Sequence, residues 1–376
     1  MRVKFISLFA VTLGLLFYYV GEVRAQSSVR PPSTAVENKI KGNQVPGTIR
    51  NGIPKSDTWR SIRKGVAGSV SIPDKKAAVL IQSDGEKFRL IRSGPLLSNL
   101  ALLMAITLVA LAGFYAYRGQ IKVESGLSGR TIKRFSTIER MGHWLMAVSF
   151  IVLAITGLNV TFGKEIIMPI IGKDLFGPLA GFLKHTHNYV AFSFMLGLAI
   201  SFICWVAHNI PNKADINWIA KAGGLLSKNS HPPADKFNAG QKLIFWGVML
   251  GGLSLCFSGW ALLFPFEYSF FTSTFNALSS IGIDVPAWFG LAKPPLTAIQ
   301  EQQYNTIWHL IVAVLMVCMI FAHIYIGSIG MEGAFDAMGR GDVDENWAKE
   351  HHSIWVEKVK EQEVPPPDET QVQPAE

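Results

Sequence analysis

Charge is scarce in this chain. Asp, Glu, Lys and Arg together make up 16% of its 376 residues, against roughly 25% in ordinary globular chains. Hydrophobic residues reach 49% and the mean hydropathy is +0.28. That balance excludes a disordered chain and argues against a soluble two-domain protein. Cysteine is scarce too. Cys204, Cys256 and Cys318 each lie alone in an apolar run, with no C-x-x-C spacing. A disulfide framework is excluded, and an iron–sulfur cluster or structural zinc held by this chain is not expected. Carboxylates inside the apolar runs are few and no internal inverted repeat is visible, which speaks against a proton-coupled transporter. A net charge of +8 invites a nucleic-acid partner, but its distribution does not. Residues 26–95 hold 13 Lys/Arg against 5 Asp/Glu, so this one stretch carries the whole surplus and no nucleic-acid partner is expected.

What is present begins with Arg2 and Lys4, followed by the apolar run Phe5 to Val20 and by Val23-Arg24-Ala25. A basic start, a short apolar run and small residues describe a signal peptide over 1–25, the alternative being an uncleaved anchor. The arm that follows would then lie outside the cytoplasm, in the periplasm of a Gram-negative cell. Residues 26–75 are rich in Ser, Pro, Gly, Lys and Arg and read as a flexible arm. It is either a solvated spacer or a basic contact for an acidic partner or anionic surface. Ala77–Gln82, Ser83-Asp84-Gly85 and Glu86–Arg92 predict a β-hairpin around an Asp-Gly turn, closing a periplasmic segment over 26–95.

Five runs are long and apolar enough to cross a bilayer: Leu96–Tyr117, Met141–Phe162, His187–Trp205 with its flanks, Leu243–Phe266 and Ile307–Ile329. Lys/Arg counts orient them. Segments 118–142, 209–242 and the stretch after 329 hold six, five and four; the alternate loops 163–184 and 267–306 hold three and one. The positive-inside rule puts the first set and the C-terminus in the cytoplasm. The fold class predicted is an all-α integral membrane protein with five crossings. The tail over 331–376, with Pro365-Pro366-Pro367, is expected to be disordered from Glu361 onward.

Five of the nine histidines lie in or beside these runs: His143, His185, His187, His309 and His323. An ionisable residue at membrane depth is costly and marks function by default. His309 and His323 are 14 residues apart, nearly four helical turns, so they share one face about 21 Å apart. By height, His187 pairs with His309 near the outer surface and His143 with His323 near the inner one. Two stacked imidazole pairs suit two bis-histidine haems, since each iron takes one nitrogen from either side of its ring. A proton relay and plain interhelical hydrogen bonding are the competing readings. His185 and His187 point roughly 200° apart, and periodicity does not choose between them. Gly247, Gly251 and Ala313 would leave room for a flat macrocycle, or simply let helices approach closely.

Several segments then carry a resemblance. Glu139-Arg-Met-Gly-His-Trp144, His187-Asn-Tyr, His208-Asn-Ile-Pro-Asn-Lys-Ala-Asp215, Phe237-Asn-Ala-Gly-Gln-Lys-Leu-Ile-Phe-Trp246, the His309/His323 pair and Trp347-Ala-Lys-Glu-His-His-Ser-Ile-Trp355 are similar to the gamma subunit of membrane-bound formate dehydrogenase, a cytochrome b. The resemblance runs from about Arg134 to Trp355. It implies a four-helix dihaem bundle over 134–330, with one extra transmembrane helix over 96–117 in front. It implies two haem b groups on His143, His187, His309 and His323, the family ligand lying 21 residues before His208 and so at His187. His208, His231, His351 and His352 match no ligand position and are expected to be solvated or at headgroup level.

The same resemblance implies a quinone, menaquinone or ubiquinone, bound at Asn238 and Gly240, although an Asn there also fits a helix cap. The function implied is that of the inner-membrane cytochrome b subunit of a formate dehydrogenase complex. Its partners would be membrane lipid, an iron–sulfur beta subunit and a catalytic alpha subunit. Electrons would pass from the periplasmic iron–sulfur subunit through the haems to the quinone, and formate oxidation itself would lie in another chain. The alternatives are the cytochrome b of a hydrogenase or related oxidoreductase and, in a different class, a haem-free transporter or membrane anchor.

Overall fold

The computed structural model describes residues 68–69, 79–80, 82–225, 227 and 230–363. The expected signal peptide, most of the basic arm and residues 364–376 lie outside the described residues. Strands β1 (Gly68–Ser69) and β2 (Val79–Leu80) pair antiparallel. The hairpin expected around Asp84-Gly85 is not formed. Its first half contributes β2, but its second half lies inside helix α1 (Gln82–Ile91). The reason is local and cooperative. Gln82–Ile91 is helical, and within it Glu86 pairs with Arg89 one turn on at 2.7 Å. A π turn over Arg92–Leu96, kinked at Gly94 and Pro95, joins α1 to the apolar helix α2 (Leu97–Arg118). A helix that already exists extends more easily than a lone hairpin forms.

Strand β3 (Thr131–Lys133) leads into α3 (Thr137–Ile166), and α4 (Lys173–Trp205) follows after a short turn at Met168–Ile171. Next come α5 (Lys213–Ala220), α6 (Ala239–Leu263), α7 (Phe270–Ser280) and α8 (Ala298–Ile326). The chain closes with β4 (Asp342–Asp344), α9 (Glu345–His351) and α10 (Ser353–Glu363). Among the described residues, five helices are long and apolar enough to cross a membrane: Gly85–Arg118, Thr137–Ile166, Lys173–Asn209, Ala239–Leu263 and Ala298–Ile326. They overlap the five apolar runs. Helix α6 stops at Leu263, short of the expected Phe266, because Pro265 cannot continue it.

Reciprocal caps start four of the helices. Ser136 and Glu139 exchange bonds at the head of α3, as do Asn212 and Asp215 for α5. Asn238 and Gln241 do the same for α6, and Thr297 and Gln300 for α8. Each satisfies backbone N–H groups that have no intrahelical acceptor.

The described chain divides into two compact units, and the division falls inside α2, α6 and α8. One unit contains Phe257–Ile311. There Glu301, 2% exposed, accepts from the backbone N–H groups of Phe271 and Thr272 at 3.0 and 2.6 Å. A carboxylate at the positive end of α7 fixes that helix against the start of α8. Phe271, Phe275 and Tyr304 pack edge to face beside it.

The other unit contains Thr107–Cys256 and Val312 onward. Helices α3 and α4 lie close along their length, and the closest approach is at Gly197, where a β-carbon would meet the Met146 backbone nitrogen at 2.6 Å. In lipid, where apolar side chains gain little from leaving one another's company, small residues that admit a backbone are the main source of helix contact. Phe150 and Phe194 pack across the same seam.

The segment after 330 is built into the fold, and the expected disorder from Glu361 onward does not hold for Glu361–Glu363, which are helical. Strand β4 pairs antiparallel with β3, joining Thr131 to Asp344 and Lys133 to Asp342. Val343, Trp347 and Ala348 are buried, and Glu361–Glu363 belong to α10. His352, expected to be solvated, is fully buried. Its Nε2 accepts from the Arg134 guanidinium at 2.9 Å and its Nδ1 lies 2.7 Å from the Asp235 carbonyl. Arg134 also donates to the Lys236 carbonyl at 2.7 Å and lies over the rings of Phe135, Trp347 and Trp355. Apolar contact with three rings explains why a cation can be buried here. Burial pushes its pKa down to about 9, so it stays charged at neutral pH.

Two outcomes are expected. Gly197→Val should part α3 from α4 and cost at least about 2 kcal/mol, read as a lowered Tm in detergent. Burial also holds His352 well below the ordinary histidine range and lowers His351 to about 4. An unfolded histidine takes its proton near pH 6.5. Below that pH the unfolded chain binds protons that the folded one refuses, so stability present above about 6.5 is lost as pH falls toward about 4. Melting between pH 7.5 and 5 should show this loss, and His352→Gln should shallow the slope; a pH-independent Tm would contradict it.

Candidate functional site

His143 lies on α3 one turn beyond the Ser136/Glu139 cap, and that cap is itself held in place. Glu139 Oε1 accepts from Trp205 Nε1 at 2.9 Å and from Lys236 Nζ at 2.8 Å, with both members of the ion pair largely buried. The His143 ring packs against Trp144 and Trp205. It faces His323 of α8, with ring centroids 6.2 Å apart. His143 Nδ1 is buried and has no hydrogen-bond partner among the described residues.

This spacing can be compared with metal ligation. A metal–imidazole bond is about 2 Å and the ring centre lies about 1.1 Å beyond the nitrogen, so two imidazoles on opposite sides of one ion stand about 6.3 Å apart. His143 and His323 meet that separation. These two residues fit a haem iron.

His187 and His309 are each set by a neighbouring helix. On α3, Thr156 Oγ1 lies 2.9 Å from His187 Nδ1 and also bonds the Val152 carbonyl at 2.8 Å. The next residue is Gly157, where a β-carbon would press on His187 Cε1 at 3.2 Å. On α6, Ser258 Oγ lies 2.9 Å from His309 Nδ1, and Gly259 gives the His309 ring the same room, a β-carbon there meeting Cε1 at 3.3 Å. Thus a hydroxyl–glycine step cradles each of these two histidines. Sequence reasoning missed Thr156-Gly157 and Ser258-Gly259. The signal was available as a small hydroxyl residue followed by glycine in each of two spans. His185 is exposed, while His187 is turned to Thr156.

Gly247 and Gly251 follow the close-packing reading of the sequence. A β-carbon at Gly247 would meet the Met319 sulfur at 2.7 Å, and one at Gly251 the Met316 sulfur at 2.6 Å. Both positions serve close packing of α6 on α8. Asn238 uses its Oδ1 to accept from the Gln241 N–H at 2.9 Å, which makes it the cap of α6. Its amide nitrogen carries the hydrogens that a carbonyl ligand would need. Gly240 lies under the Trp218 indole, whose Cη2 would be 2.7 Å from a β-carbon there. His208 is exposed and stacks on Phe237, and His231 Nε2 lies 3.1 Å from Glu124.

Membrane-length helices that carry partly buried imidazoles suit a membrane cytochrome. The family profile of prokaryotic cytochrome b561 matches residues 134–341, more than half of the chain, and the chain belongs to that family. Family membership implies haem b. Among similar proteins is the cytochrome b556(Fdn) subunit of the nitrate-inducible formate dehydrogenase of Escherichia coli K12, 25% identical over 62% of this chain and 94% of the relative. The cytochrome b556(fdo) subunit of formate dehydrogenase from the same organism is 27% identical over 61% of this chain and 94% of the relative. The formate dehydrogenase cytochrome b556 subunit of Haemophilus influenzae is 27% identical over 62% of this chain and 85% of the relative.

Gly157→Val should drive a side chain into the His187 ring and lower the haem bound per polypeptide, measured as the pyridine haemochrome. Gly113→Val, at a glycine with open space around it, should not. Equal haem content in both variants would show that the cradle is not required.

Proposed function

We propose that this chain is the cytochrome b subunit of a formate dehydrogenase complex. In this reading it carries electrons from a periplasmic iron–sulfur subunit to a quinone near the cytoplasmic face. The observation that supports it most is the match over nearly the full length of the b556 subunits, combined with the 6.2 Å spacing of His143 and His323. Two haem b groups would be held, one by His143 and His323, the other by His187 and His309. Each bound haem supplies a one-electron couple, its potential set by axial ligands, burial and hydrogen bonding.

The protein's own residues do the rest. Helices α3, α4 and α8 carry the imidazoles, and α3 and α6 supply the small residues beside His187 and His309. His309 and His323 share one face of α8, so a single rigid helix fixes one ligand of each pair. Asn238 would donate from its amide nitrogen to a quinone carbonyl, and Gly240 with Trp218 would offer a flat apolar slot. The basic loops 118–142 and 209–242 put that end in the cytoplasm, where protons for quinol formation are at hand. The same orientation makes the arm over 26–95 periplasmic and the membrane the inner one. The iron–sulfur and catalytic subunits would complete the complex, and formate oxidation belongs to the latter.

The first test is a dithionite-reduced minus oxidised spectrum of the complex, with haem counted per polypeptide. Two b-type haems are expected. His323→Ala should remove one of them and reduce formate:quinone activity by more than a hundredfold, with formate oxidation by an artificial acceptor reporting that the other subunits assemble. Quinone reduction at the wild-type rate in that variant would overturn the assignment.

A further inference from the structure

Helix α5 (Lys213–Ala220) lies between the end of α4 and the start of α6, and it has three distinct sides. At about 100° per residue, Ala214, Asp215 and Trp218 fall on one side and Ile216, Ile219 and Ala220 on a second. Lys213 and Asn217 form the third, and Lys221 continues it just past the end of the helix. The first side faces protein. Asp215 Oδ2 accepts from Lys242 Nζ at 2.9 Å, and the Trp218 indole lies over Gly223 and Gly240. The second side is open. Ile216 is 71% exposed and Ile219 55%, and Ile210, just before the helix, is 61% exposed. The third side is exposed and polar.

The height of α5 is set by its ties. The membrane-length run that includes α4 ends at Asn209, and α5 starts at Lys213. Four residues of chain reach at most about 14 Å. Lys242 is the fourth residue of α6, and its ammonium bonds both Asp215 and, at 3.1 Å, the Ile210 carbonyl. The middle of α5 is therefore held beside the first turn of α6, where another membrane-length run begins. Lys242 is buried, and the Asn212 and Asp215 cap fixes the first turn of α5, so the helix cannot roll to bury Ile216.

We infer that α5 is an interfacial helix lying along the membrane surface, with Ile216 and Ile219 against lipid acyl chains and Lys213, Asn217 and Lys221 toward headgroups and water. Protein, lipid and water meet where a span enters the bilayer, and α5 offers one side to each. An apolar side next to a basic one is the pattern that settles at that depth. The only carboxylate of α5, Asp215, is turned inward to Lys242, so the charge on its open sides is wholly basic and suits anionic headgroups. A soluble partner would have to reach Ile216 and Ile219 at the level where lipid already stands. The placement rests on the membrane spans and not on the haem or quinone assignments.

The test uses the wild-type chain in its complex, in nanodiscs of phosphatidylcholine and phosphatidylglycerol. An apolar diazirine dissolved in the lipid and a charged diazirine dissolved in the water are photolysed in separate samples, and labelled residues are located by mass spectrometry. Ile155 and Leu250, exposed residues within α3 and α6, serve as the lipid reference. The ratio of lipid-borne to aqueous label should be several-fold higher at Ile216 and Ile219 than at Lys213 and Asn217. A ratio no higher at the isoleucines than at the polar pair would overturn the inference. So would label from neither reagent at Ile216 and Ile219 while Ile155 is labelled, the result expected if a protein partner covers them.

Discussion

An imidazole has two nitrogens, and hydrocarbon offers a partner to neither. This constraint organises the interior of the protein. Leaving a buried polar atom unpaired costs about as much as a whole folding domain can spare in one or two places. Every membrane-depth histidine must therefore be explained on both sides of its ring. At His187 and His309 one side is taken by a hydroxyl from a neighbouring helix. At His143 Nδ1 is left bare, and across the ring His323 waits at the separation that a shared metal would set. The membrane makes the deficit informative. In water an unbonded ring nitrogen would mean nothing.

The same accounting explains why the end of the molecule where α3 and α6 begin is so densely bonded. Glu139 caps α3, pairs with Lys236 and accepts from Trp205, so the start of α3 is tied to the end of α4 and to the approach to α6. Arg134 reaches Gln241, whose carboxamide oxygen also takes the Asn238 N–H. Because His352 holds the other side of Arg134, the segment after 330 is part of the scaffold that fixes Asn238. The Arg134 cation would be intolerable alone. Acceptors on its edge and aromatic faces over its plane make it a structural rivet.

Much of this was legible in the sequence, and the boundary of legibility is physical. The five spans could be read because a run of roughly 20 apolar residues has few alternatives to a membrane helix. The histidines could be read because an ionisable group in such a run is rare. The hairpin misread arose because Asp-Gly marks a turn only where no helix arrives to overrule it, and α2 extends back through Arg92–Leu96 to α1. The packing of the segment after 330 could not be read because composition describes segments singly. Val343, Trp347 and Trp355 become a core only against Phe135, Arg134 and β3, some two hundred residues earlier. Thr156 and Ser258 stayed invisible because a small hydroxyl in a helix is ordinarily bonded to its own backbone. Thr156 is bonded so, and its second use needs a partner from another helix.

That double use sharpens the division of labour among small residues in the bundle. Gly197 lets one backbone touch another, and Gly247 and Gly251 receive methionine sulfurs, so these three govern how near the helices come. Gly157 and Gly259 receive imidazole carbons, so they govern how near a ring comes to the hydroxyl beside it. A larger residue at the first group would separate helices. At the second it would leave the helices in place and tilt the ring away from the oxygen that orders it. The small residues thus fall into two sets with different consequences. The distinction lies in what each one faces, which no run of letters along a single helix can express.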